Sequence, residues 1–174
     1  PGMLLEGSFG GGLDYRTQRR EDELLVEVSP RGLPFVLAPW KWGRDGLRWS
    51  FTLNDQISLS LSLETGASDV RLDLTTLSVR ELRLSTGASS VSIKLPASAG
   101  QTDVRVEAGA ASVSLEVPAE VAARVHAEGI LASLDIDQTR FPQVDGVYQS
   151  PGYYAADNKV DIKVEAGIGS LAVF

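Results

Sequence analysis

The sequence predicts an all-β protein, a β-solenoid or β-helix-like array of stacked coils of about 20 residues. Two observations predict this fold. One sequence pattern recurs three times between residues 59 and 117, as LSLSLETGASDVRLDL, ELRLSTGASSVSIKL and DVRVEAGAASVSLEV. Apolar and polar residues alternate on both sides of a small-residue turn in each copy, which is the period of a β-strand. Because one copy cannot bury its own apolar side, we expect the copies to stack around a shared interior.

A glycine marks the equivalent position in each copy. The glycines of the three clear copies, 21 and 22 residues apart, are Gly66, Gly87 and Gly109. A later copy has Gly167 at this position, and another fits best with Glu128 there. The wide gap between Glu128 and Gly167 predicts one more, divergent coil between residues 137 and 159.

Counting from this glycine position, several rows of equivalent residues are apolar in every copy. The third residue before it is Leu63, Leu84, Val106, Val125 or Val164. The sixth residue after it is Leu72, Ile93, Leu115, Leu134 or Val173. Each fully buried Leu, Ile or Val stabilises the fold by roughly 1.5–3 kcal/mol. These rows are therefore predicted to face the interior, with Val91 and Leu115 buried and Arg83 and Arg105 pointing outward.

Glycine at the repeated turn has two explanations. It adopts a left-handed backbone without a Cβ clash, or it leaves room for close stacking of neighbouring coils. A second corner is predicted at Pro96 and Pro118, because proline cannot donate a hydrogen bond to a strand ladder.

The chain is predicted to form one continuous domain. Residues 59–174 are assigned to the repeat coils, and residues 1–58 to N-terminal strands and a tryptophan-rich cap of the array. Asp22–Pro30 has the composition of a strand, and the charged residues 14–22 are expected to form a solvated loop.

Two outward-facing groups are candidate binding sites. Trp40, Trp42 and Arg44 lie together in a turn-rich segment, where aromatic rings beside cations could contact a partner or a sugar. The other explanation of these tryptophans is that they cap the open end of the array.

The second group is a basic stripe of Arg83, Arg105 and Arg124, four residues before the glycine position in successive copies. It is suited to an anionic polymer. The other explanation is mutual neutralisation with a neighbouring acidic row, which includes Glu107 and Glu165 and would contribute little per ion pair.

Composition limits the possible functions. The formal charge of −7 argues against general nucleic-acid binding, which uses a basic surface. There is no cysteine, and His126 is the sole histidine, so thiolate chemistry, Ser-His-Asp triads and histidine metal clusters have no residues to use. No apolar run approaches the roughly 20 residues of a membrane-spanning helix. We therefore expect no enzyme activity, no catalytic residues, no metal and no cofactor.

Three segments carry a family resemblance: LETGASDVRLDLTTLSVRELRLSTGASSVSIKLP, VEAGAASVSLEVP and DGVYQSPGYYAADNKVDIKVEAGIGSLAVF. Their order resembles the toastrack family of bacterial putative adhesins, which includes extramembrane domains of regulators of the cell-envelope stress response. The resemblance covers about Leu47 to Phe174. It implies a non-enzymatic, envelope-associated scaffold, sensing or protein-interaction domain, whose partner is a membrane or envelope protein or another copy of the chain. The alternatives are a module that binds an anionic or glycan polymer and a self-assembling structural solenoid.

Overall fold

The computed structural model describes residues 4–9, 13–20, 23–30 and 49–174. The chain divides into two compact units, residues 1–54 and 55–174. The described part of the first unit contains two antiparallel strand pairs. Their strands are β1 (Leu5–Phe9), β2 (Leu13–Arg20), β3 (Glu23–Pro30) and β4 (Trp49–Leu53).

In this unit β1 pairs with β4, and β2 pairs with β3. The predicted strand over Asp22–Pro30 is confirmed by β3. The expected loop over residues 14–22 is wrong, because most of that segment forms β2, whose consecutive polar residues lie exposed on a two-stranded ribbon.

The second unit is a seven-stranded sheet. Its five long strands are β5 (Ser58–Asp73), β6 (Ser78–Lys94), β7 (Gln101–Glu116), β8 (Ala122–Ile136) and β11 (Lys159–Val173). Two short strands are β9 (Gln143–Val144) and β10 (Val147–Gln149), and a single 3-10 turn covers Tyr153–Ala155. The chain is all-β, as predicted.

The long strands pair in parallel and in register, so equivalent residues of the repeats stand side by side. The order across the sheet is β5-β6-β7-β11-β8-β10-β9. The repeats therefore do not stack in chain order, because β11 lies between β7 and β8. Periodicity cannot reveal this insertion, since every copy presents the same pattern to either neighbour.

Each long strand turns a corner at the repeated glycine. In β7 every second residue is buried up to Ala108, then Gly109 and Ala110 both face outward, and burial resumes at Ala111. Two consecutive outward residues shift the alternation by one, so apolar residues on both sides of the corner face the same interior. We call the part before the corner the upstream leg and the part after it the downstream leg.

The predicted apolar rows are confirmed in the copies of β5, β6, β7 and β11. Val91 and Leu115 are buried, while Arg83 and Arg105 are exposed. The largest fully buried side chains of the rows include Leu82, Leu84, Ile93, Leu115, Ile162 and Leu171. The interior of the folded sheet is thus a continuous apolar core, which stabilises the stack through area removed from water.

The frame of the β8 copy is wrong by two residues. Val125 pairs with Ile162, and Glu128 pairs with Glu165, so Glu128 does not occupy the glycine position. Two opposite register shifts near Gly129 cancel, so the downstream leg keeps the same offset, with Leu134 beside Leu171 and Ile136 beside Val173. A shift by two keeps every side chain on the same face of a strand, which is why the apolar pattern alone did not reveal it.

The divergent coil predicted between residues 137 and 159 is also wrong. This segment forms β9 and β10, and β10 pairs antiparallel with β8 through Tyr148 and Gln149. Tyr153 is buried in the following turn, whereas Tyr154 is exposed. The segment covers the outer edge of the upstream leg of β8 instead of adding another repeat.

The corner glycines are explained by close stacking. Gly66, Gly87, Gly109 and Gly167 do not have a left-handed φ. A Cβ on Gly87 would lie 3.0 Å from the carbonyl oxygen of Gly66, and a Cβ on Gly167 would lie 2.7 Å from that of Gly109. Gly129, in the irregular β8 corner, is the exception, with a φ of 111°. Successive strands can therefore approach at the corner only because a hydrogen replaces the side chain.

We expect Leu115→Ala to destabilise the protein by about 2–5 kcal/mol, because Leu115 is fully buried and its removal leaves a cavity. Leu134→Ala is the matched control, since Leu134 is 40% exposed at the β8 side of the same core. Urea unfolding should show a clearly smaller loss for Leu134→Ala. Equal losses would contradict the packing described for the two strands.

The same corner position offers a second matched pair. Gly167→Ala should cost about 1–3 kcal/mol, because the new methyl group meets a backbone carbonyl that cannot move aside. Gly66→Ala should be close to neutral, since a Cβ there meets nothing within 4 Å. Thermal melts of both variants measure the difference, and a neutral Gly167→Ala would show that the corner has room to spare.

Candidate functional site

The outward side chains of the upstream legs form a surface of alternating charge rows, which we call the charged face. Rows lie two residues apart along each strand, about 6.6 Å, and neighbours within a row are about 4.8 Å apart. Since the strands are parallel and in register, one row collects the same repeat position from every strand.

The central row of the charged face is basic. In sheet order from β6 to β8 it contains Arg83, Arg105, Lys163 and His126. The expected stripe of Arg83, Arg105 and Arg124 is therefore correct for its first two members only. Arg124 lies opposite Asp161, two residues further from the corner, because of the two-residue error in the β8 frame.

Acidic rows flank the basic row on both sides. The row next to the glycine corner, called the corner acidic row, contains Glu64, Ser85, Glu107, Glu165 and Glu128. The row on the other side, called the distal acidic row, contains Glu81, Asp103 and Asp161. Like charges directly opposite each other in a sheet are unfavourable, so only the neighbouring rows of opposite sign balance this arrangement.

Few of these charges pair with each other. Arg83 forms an exposed salt bridge of 2.6 Å with Glu81. Within the described residues, Arg105 and Lys163 form no salt bridge, and neither do Glu107, Glu165 and Glu128. The centre of the charged face therefore presents exposed cations and carboxylates that are free to bind groups outside the chain.

At one side of the face the charges are instead locked into the structure. Arg124 is partly buried, and its Nε donates a 2.8 Å hydrogen bond to Oδ2 of Asp161, which is buried. Its guanidinium also lies 5.0 Å from the ring centre of Tyr153, a cation–π geometry. Tyr153 in turn packs edge-on against Tyr154. This cluster ties the segment after β10 to β8 and β11.

The electrostatics of the cluster follow from these contacts. The hydrogen bond to Asp161 raises the pKa of Arg124, so the guanidinium stays charged at any physiological pH. Burial, with the nearby Asp161 carboxylate, raises the pKa of the Tyr153 hydroxyl. Both shifts keep the ion pair and the neutral phenol intact, which suits a structural role for the cluster.

Two shallow grooves run over the charged face. One, with a volume of about 570 Å³, is lined by Arg105, Arg124, Lys163 and carboxylates of the corner acidic row. The other, about 480 Å³, follows the corner past Gly109 and Gly167. In the described part of the chain, no group of three or more His, Cys, Asp or Glu side chains is arranged to hold a metal ion. The charged face can therefore form ion pairs with a partner across a shallow, open surface.

The sequence-based candidates thus separate into three groups. Arg83 and Arg105 lie on the charged face, and Arg124 belongs to the buried cluster. Trp40, Trp42 and Arg44 lie outside the described residues, so the tryptophan-rich cap stays a prediction. Sequence reasoning missed Asp161 and Tyr153, because the register that brings Asp161 to Arg124 depends on the insertion of β11. The one sequence signal for Asp161 is that it occupies the position that Glu81 and Asp103 occupy in their copies.

Among the described residues there is no helix of the length and apolarity needed to cross a membrane.

A protein family and a solved structure are similar to this chain. Residues 9–116 match the family model described as the N-terminal domain of toast_rack, DUF2154. The fold is similar to the crystal structure of a putative cell adhesion protein from Clostridium sporogenes ATCC 15579, with a TM-score of 0.83 and 19% identity. That alignment covers 99% of this chain and 83% of the other. No curated protein matches the chain.

Replacing Arg124 with methionine should destabilise the protein by about 3–5 kcal/mol, because it leaves the buried Asp161 carboxylate without its partner. The double variant Arg124→Met, Asp161→Leu should recover most of this loss. Arg83→Met is the matched control and should cost less than about 1 kcal/mol, since its salt bridge to Glu81 is exposed. Urea unfolding of the three variants measures these differences; equal effects at Arg83 and Arg124 would contradict the structural role of Arg124.

Proposed function

Because this chain belongs to the toast_rack family, we propose that it is a non-enzymatic interaction domain associated with the bacterial cell envelope. Its charged face is the contact surface in this proposal, with a membrane or envelope protein, or another copy of the chain, as the partner. The domain then serves as a rigid scaffold or sensing module, and its contribution to signalling or adhesion is to hold this face in place.

The observation that carries the proposal is the unpaired charge at the centre of the face. Arg105, Lys163, Glu107 and Glu165 are exposed and form no salt bridge within the described residues. They are held on a parallel sheet whose backbone hydrogen bonds leave little freedom, so a partner meets a fixed pattern of charge. The shared fold with a structure described as a putative cell adhesion protein supports a surface role of this kind.

We also propose that the sheet is a β-solenoid, folded into coils around its apolar interior. The two legs of each strand face that interior, and residues 74–77 alone join the end of β5 to the start of β6. Such a short connection spans only about 16–18 Å, so the downstream leg must fold back over the upstream leg, with the apolar sides of the two legs facing each other. Unlike a solenoid wound in chain order, this one receives its last coil between two earlier ones.

The alternatives have less support. An anionic polymer lying along the basic row would run between carboxylates about 6.6 Å away on both sides, which oppose its charge. End-to-end assembly of a structural solenoid requires open sheet edges. At one edge of the sheet the short strands β9 and β10 cover the upstream leg of β8, and short edge strands discourage such pairing, whereas the long strand β5 forms the other edge.

Binding of the whole chain to bacterial envelope fragments tests the proposal. We expect the protein to co-sediment with the fragments at low salt, and Arg105→Glu, Lys163→Glu to reduce the bound fraction several-fold. The matched control is Arg71→Glu, Lys94→Glu, which makes the same change in net charge on the downstream legs. Co-sedimentation that is unchanged by the first pair, or lost equally with the control pair, would contradict the assignment of the charged face.

A further inference from the structure

The basic row and the corner acidic row of the charged face are complementary in charge on each strand. In β7 the pair is Arg105 and Glu107, in β11 it is Lys163 and Glu165, and in β8 it is His126 and Glu128. Each pair is separated by one residue, so its members point to the same side of the sheet about 6.6 Å apart. The order of Arg or Lys first and carboxylate second occurs in the neighbouring strands β7 and β11, and in β8 a histidine takes the first position.

This order has a consequence under a two-fold rotation. Consider an axis that lies parallel to the rows, above the face and midway between the basic row and the corner acidic row. Rotation about it places each strand over its own counterpart with the direction reversed. The basic row of the first copy then lies over the corner acidic row of the second copy. The basic row of the second copy likewise lies over the corner acidic row of the first. Such isologous contacts are the commonest form of association between identical chains.

We infer that the charged face docks against the charged face of a second copy of this chain. Arg105 then meets the Glu107 position of the second copy, and Lys163 meets the Glu165 position. Each contact occurs twice, which gives four cation–carboxylate pairs at the centre of the contact. This inference rests on the proposed function, since it names the partner of the same face.

Three features of the face support a second copy as the occupant. The central charges have no partner within the described residues, so docking does not break existing salt bridges. Facing sheets pack about 10 Å apart, a gap that Arg or Lys and Glu side chains bridge together. The distal acidic row would lie over the corner, where Gly87, Gly109 and Gly167 present no side chain or charge. No row of like charge therefore faces another.

The strength of this contact should be low and strongly dependent on salt. Exposed ion pairs are individually weak, and salt screens charges beyond about 10 Å at 0.1 M and about 3 Å at 1 M. Dimers should therefore form at low ionic strength and high protein concentration, and also where envelope attachment concentrates the chain.

Charge exchange between the two rows tests the inference. Variant one is Arg105→Glu, Lys163→Glu, and variant two is Glu107→Lys, Glu165→Lys. Each alone places like charges opposite each other in the proposed dimer, whereas a mixture of the two places opposite charges together at every contact. Native mass spectrometry and sedimentation velocity of the whole chain, at low salt and high concentration, measure the species formed.

We expect the unmodified chain to dimerise, each variant alone to be monomeric, and their mixture to form the heterodimer. The control Arg71→Glu, Lys94→Glu should dimerise as the unmodified chain does, and salt should dissociate every dimer. Circular dichroism confirms that each variant is folded; if charge reversal unfolds one, Arg105→Gln, Lys163→Gln and Glu107→Gln, Glu165→Gln replace the pair and should both weaken the dimer.

Two results would overturn the inference: an unmodified chain that stays monomeric under all these conditions, or a mixture that forms no heterodimer. The envelope-binding experiment separates this failure from that of the proposed function. A monomeric chain whose envelope binding still depends on Arg105 and Lys163 keeps the interaction face and excludes only the second copy as its partner.

Discussion

Parallel, in-register pairing of the long strands is the constraint on which the rest of the structure depends. It places equivalent residues about 4.8 Å apart in every strand, so whatever stands at one position of the repeat is multiplied across the sheet. Apolar positions become a continuous core, and charged positions become rows of a single sign. Register also fixes the corner, because the strands can approach there only where successive glycines meet backbone to backbone.

The same constraint explains why the charged face and the Arg124 cluster differ. Where the pattern is regular, like charges are stacked together and their opposites lie one row away, which leaves most of them exposed and unpaired, with the salt bridge between Arg83 and Glu81 as the exception. In β8 the position that corresponds to the distal acidic row is occupied by Arg124, which pairs in register with Asp161 of β11. A cation and a carboxylate then occupy the same row and can form a buried pair. The boundary between a surface available to partners and a structural cluster is thus set by the residue type at one position of the β8 copy.

The fold was largely predictable from the sequence, and the candidate site only in part. Alternation in three clear copies was sufficient to assign Val91, Leu115, Arg83 and Arg105 to their faces, because side-chain direction in a strand depends on parity alone. The order of the strands across the sheet cannot be predicted from this alternation. A frame error of two residues keeps the alternation intact, so Arg124 is assigned to the wrong row from sequence. Nothing in the alternation distinguishes β8 from β11 as the neighbour of β7, so the contact with Asp161 cannot be predicted. Tyr153 was missed as well, because its contact with Arg124 depends on the path of the chain after β10.

The insertion of β11 between β7 and β8 also orders events during synthesis. When the ribosome has produced the chain as far as β8, neither β7 nor β8 has its later neighbour, and their facing edges and apolar rows remain without cover. The middle of the sheet closes only when the last long strand arrives and fits between two strands that precede it in sequence by more than 20 residues. Non-local pairing of this kind slows folding and exposes strand edges to other chains in the meantime. Until this strand is available, the facing edges of β7 and β8 are therefore open to pairing with other chains.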